Sequence, residues 1–388
     1  MTVWSQLVGQ EHAIGALQDA STPRDDRGRE SSSMTHSWLI TGPPGSGRSN
    51  LAYAFASALL CRHGGCGECP DCRQVAARSH PDLAVLTTER VIISIDEVRR
   101  LVSSSQYSPS VSRYRVMVIE DADRMSERTS NVLLKALEEP PERTVWILCA
   151  PSEADLLPTI RSRVRSVRLR VPSVEDVAGL LERRDGVDPE TAERAARQAQ
   201  SHIGMAHRLA TDANARERRE ETLRIALRLR GVSDAVLGAA RMIEVATEDA
   251  KAITLERDEA ERQQALRSLG VEPGGTVPAQ LRSQLRALEE DQKRRATRSL
   301  RDGLDRILVD LLSLYRDVVR LQLGAPGGVI NEEVRTEMTA LADATPPDRT
   351  LAVLDAIATA RQRIDANVSP VLALEALLVV AARRPVAA

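Results

Sequence analysis

The stretch that decides the fold of this 388-residue chain is Trp38-Leu39-Ile40-Thr41-Gly42-Pro43-Pro44-Gly45-Ser46-Gly47-Arg48-Ser49. A short apolar run, which predicts a buried strand, leads into a glycine-rich turn, and a helical pattern begins at Ser49. Glycines in such a turn let several backbone N–H groups converge on phosphate oxygens, and the N-terminus of the following helix adds a favourable dipole. The order of strand, glycine-rich loop and helix therefore predicts an α/β domain of the nucleotide-binding type, with a phosphate loop at residues 42–49.

One residue of the phosphate loop departs from the pattern G-x-x-x-x-G-K-[ST], because Arg48 stands where a lysine is expected. A lysine ammonium is a compact charge that bridges two phosphates, whereas a guanidinium is planar and larger. Arg48 therefore keeps the charge but not the geometry. Three alternatives stay open: a loop that neither binds nucleotide firmly nor hydrolyses it, a loop that binds without hydrolysis, and a fully active loop.

The acidic residues Glu120 and Asp121 follow a second apolar run, at residues 116–119. An active P-loop ATPase needs an aspartate here to hold Mg²⁺ and a glutamate next to it to orient water. This chain has the two in reverse order, so each carboxylate has the wrong length for its role. The following strand ends in Ala150-Pro151, which offers no hydroxyl or amide to sense a γ-phosphate. These departures all predict poor hydrolysis.

Strand-like and helical patterns alternate up to Pro172, which indicates parallel α/β units. The predicted strands include residues 38–40, 83–86, 115–120, 145–150 and 166–171, with helices at 49–60, 95–105 and 128–138. After Pro172 the strand signals stop, and helices are predicted to the end of the chain, including a long one at about 279–323. The last, at residues 370–383, is apolar on most faces and predicts a buried place in a terminal bundle. Loops are expected at residues 21–33 and 270–278.

Four of the five cysteines fall within twelve residues, at Cys61, Cys66, Cys69 and Cys72. Four thiolates at this spacing suit a tetrahedral zinc ion and leave no open position for catalysis, so the predicted role is structural. The alternatives are chance clustering and reversible disulfides. Cys149 lies on an apolar strand and is interpreted as a core residue.

The composition excludes several classes of protein. The formal net charge of −2 argues against nucleic-acid binding by bulk charge, and an aromatic content of 2% argues against base-stacking platforms. No apolar run of about 18 residues predicts a membrane span, and residues 1–6 lack the layout of a signal peptide. We therefore expect a cytoplasmic chain without membrane contact.

Together these motifs resemble the δ′ subunits of the bacterial DNA polymerase III clamp loader, which are AAA+ proteins. The resemblance covers residues 4–209 and resumes at residues 367–378, which look like the family's final collar helix. Its most specific element is Asn131-Val132-Leu133-Leu134-Lys135-Ala136-Leu137-Glu138-Glu139-Pro140-Pro141, which is close to the clamp-loader signature. Val8-Gly9-Gln10 resembles the family's adenine-side motif, and His80-Pro81-Asp82 follows the cysteine insert in the family's order.

The resemblance implies an AAA+ domain at residues 1–171 with the zinc insert at 61–72, a helical lid at 172–211 and a helical collar at 299–388. The charged helical segment 212–298 matches the family poorly and is interpreted as an insertion or connection of open role. Five subunits, γ/τ and δ together with this chain, would form a ring that places a sliding clamp on primer-template DNA. Beside structural Zn²⁺, the implied cofactors are ATP or ADP and Mg²⁺.

Two interpretations of function follow from the resemblance. The first is a largely non-hydrolysing stator of the δ′ type, a component of the DNA polymerase III holoenzyme without polymerase activity of its own. The alternative is an active ATPase motor of the γ/τ type. Arg48, the Glu120-Asp121 order and the missing sensor favour the stator, as does His207, which stands where the family's lid carries a nucleotide-contacting arginine.

Arg163 is the one residue for which the resemblance implies a catalytic role. Ser162-Arg163 matches the first two residues of the family's Ser-Arg-Cys motif, and Val164 stands in the cysteine position. The resemblance implies that Arg163 is a trans-acting arginine finger, which reaches the γ-phosphate held by the next subunit. In the alternative interpretation, Arg163 pairs with an acidic group across the interface.

Overall fold

The computed structural model of the chain describes residues 2–22, 33–88, 92–268 and 282–382. The polypeptide divides into two compact units, Met1–Thr211 and Asp212–Ala388. The loop expected at residues 270–278 lies outside the described residues, as does most of the loop expected at residues 21–33. None of the helices described is both long and apolar enough to cross a membrane.

A parallel sheet forms the centre of the first unit. Its strands are β1 (Ser37–Thr41), β2 (Leu83–Leu86), β3 (Arg115–Ile119), β4 (Thr144–Ala150) and β5 (Arg165–Arg168). Their order across the sheet is β2-β3-β4-β1-β5, and every neighbouring pair is parallel. The predicted parallel α/β fold is therefore confirmed. Because the carboxyl ends of parallel strands meet at one edge of a sheet, this edge carries the phosphate loop after β1, Glu120 after β3 and Pro151 after β4.

The sheet is covered on both faces, which is why β1 to β4 are near-continuous apolar runs, whereas β5 at the edge exposes Arg165, Ser166 and Arg168. All residues of β1 and β4 are buried. On one face, Trp38 packs edge-on against Phe55 with ring centroids 5.3 Å apart. On the other, Leu39, Met117 and Trp146 belong to a second core cluster. Helices of the first unit that cover the sheet or connect its strands are α1 (Glu11–Ser21), α2 (Arg48–Leu60), α3 (Pro70–Ala76), α4 (Ile95–Ser105), α5 (Glu127–Glu138) and α6 (Pro158–Arg161).

Three helices complete the first unit, in the segment predicted to be a helical lid: α7 (Val174–Asp185), α8 (Pro189–Gln198) and α9 (Ile203–Thr211). Local sequence fixes their ends. Ser173 and Asp176 form a capping box at the start of α7, and Gly186 ends that helix in the left-handed region at φ +67°. Asp188 caps α8 ahead of Pro189.

The second unit is all-helical in the residues described. Its helices are α10 (Ala213–Leu227), α11 (Val232–Ser268), α12 (Arg282–Gln322), α13 (Arg335–Ala344), α14 (Pro347–Asp365) and α15 (Pro370–Ala382). The apolar α15 buries Leu374, Leu377 and Leu378 in a core shared with α10 and α11. The expected domain boundary at residue 298 falls inside the continuous helix α12. The rest of the predicted division stays a prediction.

The helices α11 and α12 pack antiparallel, since Ala246 lies against Gly303 and Asp258 against Arg295. Arg295 is nearly buried and donates to both Asp258 and Glu261 at 2.8 Å. A buried guanidinium is tolerated only when its charge is paired and its N–H groups are bonded. This polar contact accounts for the charge in a part of the chain that was expected to be an insertion.

The His80-Pro81-Asp82 motif has a structural role. The fully buried carboxylate of Asp82 accepts hydrogen bonds from the backbone N–H groups of Ser110 (2.5 Å), Val111 and Ser112 (both 2.8 Å). Burial alone would raise the pKa of Asp82, but these hydrogen bonds outweigh it, and the net pKa is lowered. Asp82 thus fixes the loop that enters β3.

Replacing Asp82 by Asn should destabilise the first unit. An amide N–H₂ would face backbone donors, so we expect a loss of about 2–3 kcal/mol in the free energy of unfolding at pH 7. All three tryptophans, Trp4, Trp38 and Trp146, lie in this unit. Tryptophan fluorescence during urea unfolding therefore measures its stability alone.

The same comparison has a defined pH dependence. A lowered pKa means that the stabilisation is complete above the ordinary carboxyl pKa of about 3.9 and is lost as the pH falls through the lowered value. The difference in the free energy of unfolding between wild type and Asp82→Asn should therefore stay constant near neutral pH and become smaller in acid. Asp96→Asn, on the exposed face of α4, is the control and should match wild type. A difference in stability that persists in strong acid would contradict the structural role of the ionised Asp82 carboxylate.

Candidate functional site

The phosphate loop adopts a conformation that requires glycine at two positions. Gly45 and Gly47 have φ +79° and +91°, which side-chain-bearing residues rarely adopt. Gly47 is the N-cap of α2, and no side chain caps this helix terminus. The Ser46 side chain is buried, and its Oγ has no hydrogen-bond partner among the described residues. The backbone donors of the loop and of the first turn of α2 therefore fit a phosphate group.

The guanidinium of Arg48 turns back on its own loop. Its Nη1 donates to the carbonyl oxygen of Gly42 at 2.7 Å. Because guanidinium nitrogens are fixed in a plane, this bond directs part of the charge at the loop backbone. Arg48 remains in the loop, but one of its donors is already in use.

The residue His202, just before α9, lies over the phosphate loop. A Cβ placed on Gly45 would fall 2.2 Å from His202 Cγ, so only glycine fits beneath the ring. The N–H of Ile203 donates to the carbonyl oxygen of Gly45 at 3.1 Å. These contacts fix the start of α9 against the loop.

The carboxylate of Glu120 joins three parts of the first unit. Its Oε2 accepts from Ser49 Oγ at 2.7 Å, and its Oε1 accepts from Tyr53 Oη at 2.6 Å. Arg78 Nη2 lies 3.2 Å from the same Oε1, and the Arg78 guanidinium stacks 4.9 Å from the centre of the Tyr53 ring. Ser49 is on α2, Glu120 follows β3, and Arg78 follows α3.

These partners test whether a magnesium ion fits the site. P-loop proteins hold Mg²⁺ with the loop Ser or Thr and an acidic group at the strand end. Here Ser49 and Glu120 bind each other, and the second carboxylate oxygen is taken by Tyr53 and Arg78. Mg²⁺ demands near-octahedral oxygen coordination. The donor set as arranged therefore does not fit Mg²⁺.

Two further carboxylates, Asp121 and Asp123, follow Glu120, and the buried Oδ1 of Asp123 has no hydrogen-bond partner among the described residues. Asp121 adopts φ +52° and lies 3.6 Å from Arg124 Nε. Burial raises the pKa of Asp123, and the charge of Asp121 adds to that rise. The reversed Glu-Asp order thus places a committed glutamate, instead of a free aspartate, at the strand end.

Two other predicted nucleotide residues lie apart from this network. His207 Nδ1 is 2.8 Å from Asp185 Oδ2, at the end of α7. Val8 precedes Gly9, and a Cβ on Gly9 would fall 2.8 Å from Asp176 Oδ2. The described residues place His202, rather than His207, against the loop. The nucleotide roles of Val8 and His207 stay predictions.

Arg163 has an acidic partner within its own chain. Its Nε donates to Glu138 Oε1 at 2.6 Å, and its Nη1 donates to the carbonyl oxygen of Thr159 at 2.7 Å. Glu138 is the last residue of α5, the helix of the signature run. The Arg163 side chain keeps 31% of its surface exposed. An exposed ion pair of this kind contributes about 0–1 kcal/mol, so a stronger anion can displace Glu138.

The four clustered cysteines converge on one point. Their sulfur atoms all lie within 4.8 Å of one another. Cys61 Sγ is 3.9 Å from Cys66 Sγ and 3.5 Å from Cys69 Sγ. Four sulfurs at about 2.3 Å from a tetrahedral zinc lie about 3.8 Å apart, so the donor set fits that ion. This cluster could therefore hold a metal ion such as zinc.

Backbone N–H groups surround the sulfurs of this cysteine cluster. His63 donates to Cys61, and Gly67 donates to Cys72, both at 3.3 Å. Backbone donors from Glu68 and Cys69 lower the pKa of the Cys66 thiol to about 6, whereas burial raises the pKa of Cys72. N–H donors of this kind stabilise thiolates, the form that binds metal.

The cysteine cluster is also tied to the rest of the unit. The N–H of Val3 donates to the carbonyl oxygen of Gly65 at 3.0 Å. Cys69 caps α3, because its sulfur accepts from the N–H of Cys72 at 3.4 Å. The cluster therefore sets the position of α3 and of Arg78, two residues beyond it.

Sequence reasoning missed three residues of this site: Tyr53, Arg78 and His202. Tyr53 is one turn beyond Ser49 on α2, so helical spacing could have placed it beside Ser49. His202 precedes the segment that resembles the family's lid motif. No local signal marks Arg78, whose partners lie 25 and 42 residues away in the sequence.

The first unit is similar in sequence to DNA polymerase III subunits. Residues 26–173 match the family model described as DNA polymerase III, delta subunit. They form a DNA polymerase III delta-subunit-like domain, which contains all five strands of the sheet. The chain is 40% identical over 134 residues to the delta′ subunit of Pseudomonas aeruginosa, covering 33% of this chain and 41% of that protein.

Subunits with a different name are also similar. The tau/gamma subunit of Haemophilus influenzae is 33% identical over 171 residues, covering 43% of this chain and 24% of that protein. A solved DNA polymerase III gamma subunit-related protein from Thermotoga maritima aligns over 97% of this chain and 99% of its own, with 16% identity and a TM-score of 0.40. The chain thus spans about a quarter to two fifths of the length of these two sequence relatives.

The cysteine cluster generates a metal prediction. Elemental analysis of the purified chain should find about one zinc per chain, and Cys69→Ser should lose it because three sulfurs leave the tetrahedron incomplete. Cys149→Ala is the control, since this cysteine is buried on β4, and it should retain the metal. Full zinc content in Cys69→Ser would contradict the assignment.

The phosphate loop generates a prediction on hydrolysis. Arg48→Lys should improve nucleotide affinity by restoring a compact charge, yet leave steady-state phosphate release near background, because Ser49 stays bound to Glu120 and such groups act as a unit. Arg73→Lys, on the exposed face of α3, is the matched control. Robust hydrolysis from Arg48→Lys alone would refute the account of a degenerate site.

Proposed function

We propose that the chain is a δ′-type subunit of the DNA polymerase III clamp loader, acting as a largely non-hydrolysing stator. The observation that carries this proposal is the commitment of Glu120. With its carboxylate bound to Ser49, Tyr53 and Arg78, Glu120 is not free to hold a metal ion or orient water. The similarity to a delta′ subunit over residues of this same domain supports the proposal.

A second candidate is an active ATPase motor of the γ/τ type. It is favoured by the similarity to tau/gamma subunits, which covers a longer part of the chain than the similarity to delta′. Steady-state ATP hydrolysis by the isolated chain separates the two candidates. Turnover that is stimulated by primed DNA, at the level of ordinary P-loop ATPases, would favour the motor and overturn the stator.

The proposed role requires partners, which we infer to be γ/τ and δ subunits in a five-membered cytoplasmic ring. In this proposal the ring places a sliding clamp on primer-template DNA, and the chain contributes rigidity and one interface. Residues 299–388 are the proposed collar, where the exposed side chains of Leu351 on α14 and Leu372 on α15 offer apolar surface for packing against other subunits.

Arg163 is proposed to act in trans on the nucleotide of a neighbouring subunit. Its pairing with Glu138 within the chain gives the guanidinium a resting position at the domain surface. A γ-phosphate carries more charge than one carboxylate and accepts from a guanidinium with two parallel bonds. It would therefore displace Glu138, and the arginine would then oppose charge that develops during phosphoryl transfer.

Reconstitution with wild-type partners tests this role. Arg163→Ala should leave assembly intact and lower DNA-stimulated ATPase and clamp loading. Arginine fingers raise the rate of hydrolysis roughly 10³–10⁵-fold in GTPase systems. The loss of rate per ring should be smaller, because the other interfaces keep their own arginine fingers. Arg161→Ala, an exposed neighbour on α6, is the control and should behave as wild type.

Glu138→Gln sharpens the same test, because it removes the competing charge and leaves Arg163 in place. DNA-stimulated ATPase should then be retained or increased. Normal loading by an intact complex with Arg163→Ala would overturn the finger. Loss of assembly in both variants would instead favour a purely structural ion pair.

A further inference from the structure

Arg78 reaches the phosphate-loop region from a strained backbone position. It adopts φ +57°, where a side chain with a Cβ is disfavoured. Its N–H is bonded to the carbonyl oxygen of Val75 at 2.9 Å, which ends α3 and holds this conformation. Strain of this kind persists where the surrounding structure imposes it, and it often marks a functional position. Here it directs a guanidinium to Glu120.

The Arg78 guanidinium lies in the region where a P-loop protein binds its divalent cation. Ser49 and Glu120 are the two groups that would bind that ion. Arg78 lies 3.2 Å from Glu120 and is steadied by the face of the Tyr53 ring. A cation over an aromatic face gains electrostatic attraction in addition to its ion pair. The chain therefore supplies a positive charge of its own at the point where Mg²⁺ is usually required.

The phosphate side of the loop keeps its donors. The N-terminus of α2 has no side-chain cap. Ser46 Oγ is buried within the loop beside Gly42 and has no hydrogen-bond partner among the described residues. Arg48 adds a second cation next to these donors. An anion is thus still favoured at the loop, although the divalent cation is not.

We propose that Arg78 takes the place of the divalent cation, so that the phosphate loop binds a nucleoside diphosphate in its metal-free form. The diphosphate is held by the loop N–H groups and Arg48, and the Glu120 network stays closed beside it. Arg78 is in this role a specificity-determining residue, because it decides that the ligand carries no metal. The inference concerns the isolated chain and stands apart from its role in a ring.

Isothermal titration calorimetry of the full chain with ADP tests the proposal, in buffer with EDTA and in buffer with MgCl₂. The dissociation constant of wild type should agree within about twofold between the two buffers. Arg78→Ala should bind ADP about tenfold more weakly in EDTA, and MgCl₂ should restore most of that loss by entering the vacated position. Inorganic phosphate alone serves as a second probe and should bind more weakly than ADP.

Two controls keep the result interpretable. Arg73→Ala removes the same charge from the exposed face of α3 and should match wild type in both buffers. Arg78→Lys keeps a cation and should remain independent of magnesium, which tests the proposal even if the alanine variant does not fold. Zinc content and tryptophan-detected unfolding report whether each variant is intact.

Three outcomes would overturn the inference. One is wild-type ADP binding that strengthens about tenfold or more when MgCl₂ replaces EDTA. Another is the absence of ADP binding in both buffers. The third is an Arg78→Ala chain that binds ADP as Arg73→Ala does. None of these results touches the proposed ring role, which is measured by reconstitution and clamp loading.

Discussion

The carboxylate of Glu120 is the constraint on which the rest of the site depends. It lies at the end of β3 and is only 16% exposed, so its charge must be met by protein groups. Ser49 and Tyr53 on α2 donate to it, and Arg78 brings the opposite charge from the segment after α3. Charge-assisted bonds of this type are roughly twice as strong as neutral ones. The helix α2, which follows the phosphate loop, is therefore held to the sheet through Glu120. Hydrolysis would need this carboxylate free.

The cysteine cluster and the phosphate loop are connected through a short path. Cys69 and Cys72 define the first turn of α3, and the same helix ends just before Arg78. An ion bound by the four sulfurs would fix this helix, and with it the guanidinium that reaches Glu120. A structural metal bound by the cysteines would in this way help to determine the electrostatics around Glu120.

The first unit combines a closed site with an exposed arginine. Within the site, Arg48 binds Gly42, His202 covers Gly45, and Glu120 is saturated. At the surface, Arg163 rests on Glu138 and keeps nearly a third of its side chain exposed. Groups that are bonded within the chain stabilise it, whereas a weakly held surface charge is available to a partner. This distribution is the basis of the proposal that Arg163 acts on the nucleotide of a neighbouring subunit.

The sequence by itself determined the features that short stretches of chain encode. Apolar runs between helical patterns predicted the strands to within two residues at the ends of β1, β2, β3 and β4, and the spacing of four cysteines predicted their convergence. The glycines of the loop predicted its turn, because only the left-handed region closes it. The reversed Glu120-Asp121 order also predicts a site unsuited to hydrolysis, and this stays a prediction.

Only the tertiary structure decided what those groups contact. Arg78, Tyr53 and Glu120 come together from three elements, and His202 reaches Gly45 across more than 150 residues of sequence. The expected boundary at residue 298 falls inside α12, and the predicted division of the chain stays a prediction. Periodicity and spacing report the conformation of neighbouring residues, whereas a side chain's partner depends on how whole elements pack.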